Sequence, residues 1–336
     1  MAKPKQSDVA RLAGVSQTTV SQVLNNAAAF SVPQETRQRV IDAVSQLGYI
    51  PNGLARSLRT QKTSTIASVI PDIANPFYPA LERGIQDVAE ARGHDLIVYN
   101  TDGEPDKERR CLDSLLRGRV DGVVGVFFHL SVADLQRLQA RNIAAVLLEE
   151  PGIGGAPSAD VDRVYVDNAK AAHAAVAYLL AQGHRKISML SGPPGTLTSR
   201  TGGYVQALRG HPQAAEPHII VTPGFTETCG HDGMQRALQR SPLPDAVFAA
   251  NDLMAMGALR ALRKAGVRVP DDLALFGFDD IPVARLLTPA LSTVSQFQEQ
   301  LGRRAAELLF ERMENPEVGA GRSEELPFEL MIRDSA

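Results

Sequence analysis

Between Ser7 and Asn26 apolar residues recur at helical spacing in two short runs. Val9, Ala10, Leu12 and Ala13 make the first, with Ser7 as a good N-cap residue. Gly14 supplies a left-handed turn and Val15 tucks beneath it. Ser16 caps a second run that carries Val20, Val23 and Leu24 on one face. This spacing predicts a helix-turn-helix. A third stripe, Val40, Ile41, Val44 and Leu47, predicts a helix over 33–47, opened by Pro33 and ended by Gly48. It closes a small three-helix head.

Residues 49–60 read as a linker in which Leu54, Ala55 and Leu58 lie at helical spacing. Gly53 costs such a helix about 1 kcal/mol against Ala, so the segment is marginal alone. From Thr65 the pattern alternates. Strands are predicted at 66–70, 96–99, 122–127 and 145–148, with helices at 79–92, 107–117 and 132–140. A second series has strands at 186–190, 247–250 and 273–276, and helices at 169–182, 202–209, 229–240 and 253–265. A tail of strand, helix and strand follows at 291–296, 298–313 and 328–332. Alternation of this kind implies parallel sheets covered on both faces, and two series imply two lobes. Ligands of open α/β sheets bind at the carboxyl ends of the strands, so the cleft between the lobes is the place to look for a site.

Charge separates the two parts. Residues 1–62 hold eight Lys or Arg against three acids, a net +5, which leaves −8 of the formal −3 on the remainder. A basic head on an acidic body suits phosphate contact by the head alone. With 336 residues, two or three domains are expected. The chain has no apolar run of about eighteen residues, so no membrane span is expected. Its start, Met-Ala-Lys-Pro-Lys-Gln, lacks an apolar leader, so a cytoplasmic location is expected. Cys111 and Cys229 are isolated and form no metal-ligand pattern.

On the second helix Gln17 and Ser21 project from one side, as do Thr18 and Gln22. Gln pairs bidentately with adenine, and Ser or Thr meets a base edge or a thymine methyl. Small polar residues also simply coat surface helices, but here the cap, the turn and the position in the chain agree on DNA reading. The segment resembles the DNA-binding domain of the lactose-repressor (LacI/GalR) family of bacterial transcription regulators. The resemblance is carried by Asp8-Val9-Ala10, Ala13-Gly14-Val15-Ser16, Thr19-Val20-Ser21, Val23-Leu24-Asn25 and Val32-Pro33-Gln34-Glu35-Thr36-Arg37. It continues through Leu47-Gly48-Tyr49, Pro51-Asn52 and Ala55-Arg56-Ser57-Leu58-Arg59-Thr60, and then over nearly the whole remaining chain. One departure is Gln22, where the family usually has Arg; Gln shifts the expected preference from guanine toward adenine.

The resemblance implies an all-α helix-turn-helix head with a hinge helix, then a two-lobe α/β core of doubly wound parallel sheets, similar to periplasmic binding proteins. The head is expected over 1–48, the hinge over 49–62 and the core over 63–336. The first lobe takes about 63–161 and 292–322, the second about 162–291 and 323–336, with crossings near 161, 291 and 322. The expected DNA contacts are Ser7, Ser16, Gln17, Thr18, Thr19, Ser21, Gln22 and Asn25, with Asn52 and Arg59 from the hinge. The resemblance further implies that Leu58, with Ala55 beside it, enters the central minor-groove step as an apolar wedge. Partners are then a pseudo-palindromic double-stranded operator, a second copy of the chain and a small-molecule effector. The chain runs only to Ala336, without a heptad tail, so a dimer is expected.

For the effector, the resemblance marks Phe77 and Tyr78 in the loop from Pro71, and Arg200 after Thr198. A guanidinium suits a bidentate grip on a carboxylate, phosphate or hydroxyl pair, and a salt bridge across the cleft is its other reading. Phe225 stands where the family places a stacking aromatic; core packing is the alternative. Asn251 and Asp252 end a strand, and Asp252 matches the family's effector-binding acid while also suiting an N-cap. Asn75 reads as a cap or a contact, Asp102 as a turn residue, and Asp280 as a weaker candidate. Where relatives often carry Asp-Arg, this chain has Glu149-Glu150; Glu149 reaches further into the cleft and leans the pocket toward polyols or sugars, with a solvated acidic loop as the other reading.

An enzyme is the rival reading. Gly152-Ile153-Gly154-Gly155 fails the dinucleotide pattern because Pro157 stands at the third glycine position. No Gly-Lys-Ser/Thr phosphate loop occurs, and His184 and His231 sit in no catalytic motif. No cofactor is expected. A transport protein of the periplasmic type is the second rival; the DNA head and the missing leader argue against it.

Overall fold

The computed structural model describes residues 4–24, 32–50, 62–150, 161–193, 198–315 and 319–336, which divide into one unit within 1–63 and another within 64–336.

In the head, α1 (Gln6–Ala13), α2 (Gln17–Leu24) and α3 (Gln34–Leu47) pack through Val9, Ala10, Ala13, Val20, Val23, Val40 and Ala43. Gly14, at φ +66°, closes α1, and the Val15 N–H donates to the Ala10 carbonyl. Ser16 caps α2, its Oγ accepting from the Thr19 N–H at 3.0 Å. Three expectations change. The first helix begins at Gln6, so Ser7 lies in its first turn, and Asp8 closes that end by accepting from the Lys5 N–H at 2.9 Å. Leu12 and Ile41 are exposed, because Val9, Ala10 and Ala13, and Val40 and Ala43, already fill the buried arcs.

The second unit has two sheets of parallel strands. In the first lobe β1 (Thr65–Ile70), β2 (Asp95–Asn100), β3 (Gly122–Gly125), β4 (Ala144–Leu147), β5 (Asp162–Val166) and β11 (Ser323–Leu326) stand in the order β11-β5-β4-β3-β1-β2. On one face α4 (Phe77–Ala91) and α11 (Gln298–Glu314) bury Leu81, Ile85, Leu301 and Leu309. On the other, α5 (Pro105–Leu115) and α6 (Val132–Gln139) bury Leu112, Leu115, Leu135 and Leu138. In the second lobe β6 (Ile187–Ser191), β7 (His218–Val221), β8 (Ala246–Ala249) and β9 (Ala274–Phe276) stand in the order β7-β6-β8-β9. They lie among α7 (Asn168–Ala181), α8 (Thr198–Arg209), α9 (Glu227–Leu238) and α10 (Asp252–Lys264). An antiparallel pair, β10 (Thr293–Ser295) with β12 (Glu329–Met331), completes that lobe.

The doubly wound two-lobe core is as expected, but its seams move. β5 pairs with β4, and β11 pairs with β5, so both belong to the first lobe. β10 and β12 belong to the second. The chain therefore crosses after Val166, Ser295 and Leu326, a few residues beyond the expected 161, 291 and 322. The pattern missed β5 because its first two residues are charged. Asp162 is buried only because Arg312 and Arg322 pair with it at 2.7 and 3.1 Å. It missed β11, Ser-Glu-Glu-Leu, because that edge strand hardly alternates in polarity, and it also missed the edge strand β7, His-Ile-Ile-Val.

Candidate functional site

Two surfaces collect the expected residues. On α2, Gln17 and Thr18 are exposed, and Ser21 and Gln22 are half-buried on the same helix. The Gln6 side chain donates to the Gln17 carbonyl at 3.1 Å and ties α1 to the start of α2. Ser16 and Thr19 spend their hydroxyls on each other, 2.9 Å apart, and on the cap. Ser7 is exposed on α1. Asn25, Asn52, Ala55, Leu58 and Arg59 lie outside the described residues.

The second surface is a cavity of about 520 Å³ at the carboxyl ends of the core strands, lined from both lobes. That volume is in the range of small-molecule sites. Phe77, Tyr78 and Glu149 reach it from the first lobe, and Arg200, Phe225 and Asn251 from the second. The remaining three do not line it. Thr198 starts α8 and is exposed. Asp280 turns away and accepts from Arg333 Nη2 at 2.6 Å. Asp252 is wholly buried, accepting from the Ile281 N–H at 2.9 Å and from Thr293 Oγ1 at 2.6 Å. It therefore staples the loop after β9 to β10, and burial holds its carboxyl well above the usual range. Gly277 makes room for it, since a Cβ there would lie 2.2 Å from Asp252 Oδ1. The cap of α10 is Asn251, whose Oδ1 accepts from the Met254 N–H at 2.8 Å while its Nδ2 donates to the Phe225 carbonyl at 3.0 Å.

Asp279 takes the place expected of Asp280. It lines the cavity at φ +113°, a strained conformation for a residue with a Cβ. Burial pushes its carboxyl up to about 6, against the pull of Arg200 and of Gln296, whose Nε2 donates to Oδ1 at 2.8 Å. Arg200 is not left open for a ligand. Its Nε donates to Asn168 Oδ1 at 2.7 Å, its Nη1 to the Ala250 carbonyl at 2.5 Å, and its Nη2 lies 3.4 Å from Asp279 Oδ1. Its face covers the Phe278 ring at 3.7 Å. The salt-bridge reading holds, within the second lobe rather than across the cleft. Phe225 combines its two readings: it packs on the core and faces the cavity. Its ring rests on Gly192, where a Cβ would lie 2.4 Å from Cζ.

Asn75 precedes the N-cap position of α4, which is Pro76; its Oδ1 accepts from the Phe77 N–H at 3.0 Å in a local turn, and it also lines the cavity. Asp102 is a turn residue at φ +52°, paired with Lys107. Burial pushes the Glu149 carboxyl up to about 7, with Arg163 opposing. Burial, helped by the Asp279 charge, also holds the Tyr78 hydroxyl well above its usual range. Glu150 joins the lobes: its carboxylate accepts from the Asn168 N–H at 2.6 Å and from Ser199 Oγ at 2.8 Å. Asn168, Gln296 and Phe128 line the cavity without having been expected there, since none carries a local motif.

A helix-turn-helix unit in one chain with a two-lobed α/β core around a cavity defines a ligand-responsive DNA-binding regulator. Residues 7–52 match the model of bacterial regulatory proteins of the lacI family, and residues 176–336 match the periplasmic binding protein-like domain. The chain is 34% identical to the HTH-type transcriptional repressor CytR of Escherichia coli (strain K12) over 98% of its own length and 95% of the relative's. The lac repressor dimer bound to operator and an anti-inducer superposes with a TM-score of 0.84 at 26% identity, over 99% of each chain. A regulator CelR–cellobiose complex gives 0.73 at 32%, over 99% of this chain and 100% of that one. The chain thus belongs to the lacI family of bacterial regulatory proteins. It is a DNA-binding transcriptional regulator of the repressor class with an effector-binding core, and not an enzyme. Among the described residues, no helix is long and apolar enough to cross a membrane.

Proposed function

We propose that a cytoplasmic homodimer of this chain binds a pseudo-palindromic operator through paired heads, and that a sugar or sugar derivative held between the core lobes sets its operator affinity. The observation that carries the effector reading is the cavity wall. Aromatic rings of Phe77, Phe128 and Phe225 stand beside the acceptors of Glu149, Asn251 and Asp279, a pairing that suits a ring with apolar faces and hydroxyl edges. The relative solved with cellobiose supports it.

Phe77, Tyr78, Glu149, Phe225 and Asn251 contact the effector. Asp279, held by Arg200, replaces Asp252 and Asp280 in that set. On the DNA side Gln17, Thr18, Ser21 and Gln22 read bases, while Ser7, Ser16, Thr19, Asn25, Asn52 and Arg59 position the head. Leu58, with Ala55, is the minor-groove wedge. The edge strand β2 leaves Ile97 and Val98 exposed, and covering such an edge favours a partner copy. Coupling requires the effector to prefer one arrangement of the lobes, and Glu150, bonded across them, biases that choice.

The test is a thermal-shift screen of the full chain against sugars, followed by operator selection from random duplexes with and without the hit. A ligand that binds only the folded state raises the melting temperature. A hit abolished by Phe225→Ala that also changes operator affinity supports the reading. Hits confined to amino acids or nucleobases would sink the sugar assignment.

A further inference from the structure

The charge of the cleft is one-sided. Five carboxyl residues, Asp72, Asp102, Glu149, Glu150 and Asp279, line it against a single guanidinium, Arg200, and no Lys or His lines it among the described residues. That guanidinium is committed to Asn168, Ala250 and Asp279, with its face on Phe278. A phosphate or carboxylate entering the cleft would meet like charge with no cation able to turn toward it without leaving Asp279 buried and unpaired.

The acids differ in what they have left to offer. Asp102 is paired with Lys107, and both Glu150 oxygens accept bonds from the other lobe. Asp279 Oδ1 serves Arg200 and Gln296. Asp72 Oδ1 accepts from the Ala74 N–H at 2.9 Å. Of the five, Glu149 alone accepts no hydrogen bond and closes no ion pair within 4 Å among the described residues, although it is half-buried. Behind it stand the buried Arg163 of β5 and Glu108 of α5. Glu108 is already used by the Phe128 and His129 N–H groups, each at 2.9 Å. A half-buried carboxyl without donors costs free energy until something supplies them. The Phe77, Phe128 and Phe225 rings line the same cleft, and aromatic faces favour a cation as well as a ring.

We infer that the cleft selects an amino-substituted, unphosphorylated ring compound whose ammonium group donates to Glu149. This rests on the small-molecule reading of the cleft and narrows its ligand class. A charge-assisted bond to Glu149 then distinguishes an amino sugar from its parent by roughly tenfold in affinity. Because burial holds the Glu149 carboxyl near 7, ammonium binding at pH 6 displaces its proton.

The experiment measures the binding of glucose, galactose and mannose, their 2-amino forms and their 6-phosphates to the full chain at pH 6. Thermal shift is followed by calorimetry in two buffers of different ionisation enthalpy. The expected result is a 2-amino form bound at least about tenfold tighter than its parent, with release of about one proton and no response to the phosphates. In Glu149→Gln the proton release disappears and the amino form loses its advantage over the parent. Parents binding as well as amino forms, or phosphates binding best, overturn this inference and leave the sugar reading standing. No response from any of the nine overturns both.

Discussion

The Arg200 guanidinium and the Asp279 carboxylate lie 3.4 Å apart, each at most 6% exposed, at the meeting point of α8, the loop after β9 and the second crossing between lobes. The pair converts a residue of strained backbone into a fixed wall of the cleft. It also explains why a guanidinium can occupy the first turn of α8, where the helix dipole disfavours cations: the carbonyl of Ala250 and two side chains of the same lobe satisfy it.

Arg200→Ala leaves Asp279 buried and uncompensated. Such losses cost about 3–5 kcal/mol. Urea unfolding of the core at pH 7 is expected to show a loss on that order, larger than for Asp279→Asn with Arg200 in place. Equal and small effects would mean that the pair contributes nothing.

Glu82 gives a pH test in the first lobe. Burial pushes its carboxyl up to about 7 although Ser68 Oγ donates to it at 2.6 Å, and its other oxygen is buried without a partner among the described residues. A carboxyl raised in the folded state contributes stability below its unfolded value of about 4.3, and that contribution is lost as pH rises through about 7. Glu82→Gln is therefore expected to be close to neutral at pH 4.5 and to stabilise by on the order of 2 kcal/mol at pH 8. Identical melting-temperature differences at the two pH values would contradict this.

Gly192→Ala tests the seat of Phe225. A methyl group 2.4 Å from the ring must push the ring into the cavity. Overpacking of this kind costs about 1–3 kcal/mol, and affinity for the effector is expected to fall by more than about tenfold. Native affinity would show that Phe225 is only a core residue.

On DNA, Gln22→Arg is expected to move one half-site position from adenine toward guanine in a binding selection, at about 1–3 kcal/mol for a good bidentate pair. An unaltered base preference would remove Gln22 from the readers. Leu58→Ala is expected to weaken specific binding while leaving the melting temperature unchanged.

The head was legible because its signals are local. A Ser16 cap, a left-handed Gly14 and stripes at helical spacing act within a few residues of one another, and α2 and the turn before it lie where those residues put them. The strands of the two lobes were legible for the same reason wherever they are apolar. β5 was not, because Asp162 and Arg163 become interior residues only when Arg312 and Arg322, some 150 and 160 positions away in sequence, close on Asp162. The crossings moved with it.

In the cleft, residue types were readable but directions were not. Phe-Asp-Asp marks two acids at the end of a strand, and only backbone angles of +113° and +54° decide that Asp279 faces the cavity while Asp280 faces Arg333. Asn251-Asp252 resolves likewise: the first residue caps the helix at the cavity wall and the second turns inward to Thr293. Sequence by itself determined the helical head and the alternation of apolar strands and helices in the core, because these follow from short-range spacing, and its ordered motifs carried the resemblance that marked the family and the aromatic and acidic residues of the pocket. Tertiary structure alone decided which carboxyl groups are spent on the protein and which remain for a ligand, because a side chain's partners come from segments that meet only when the two lobes close around one cavity.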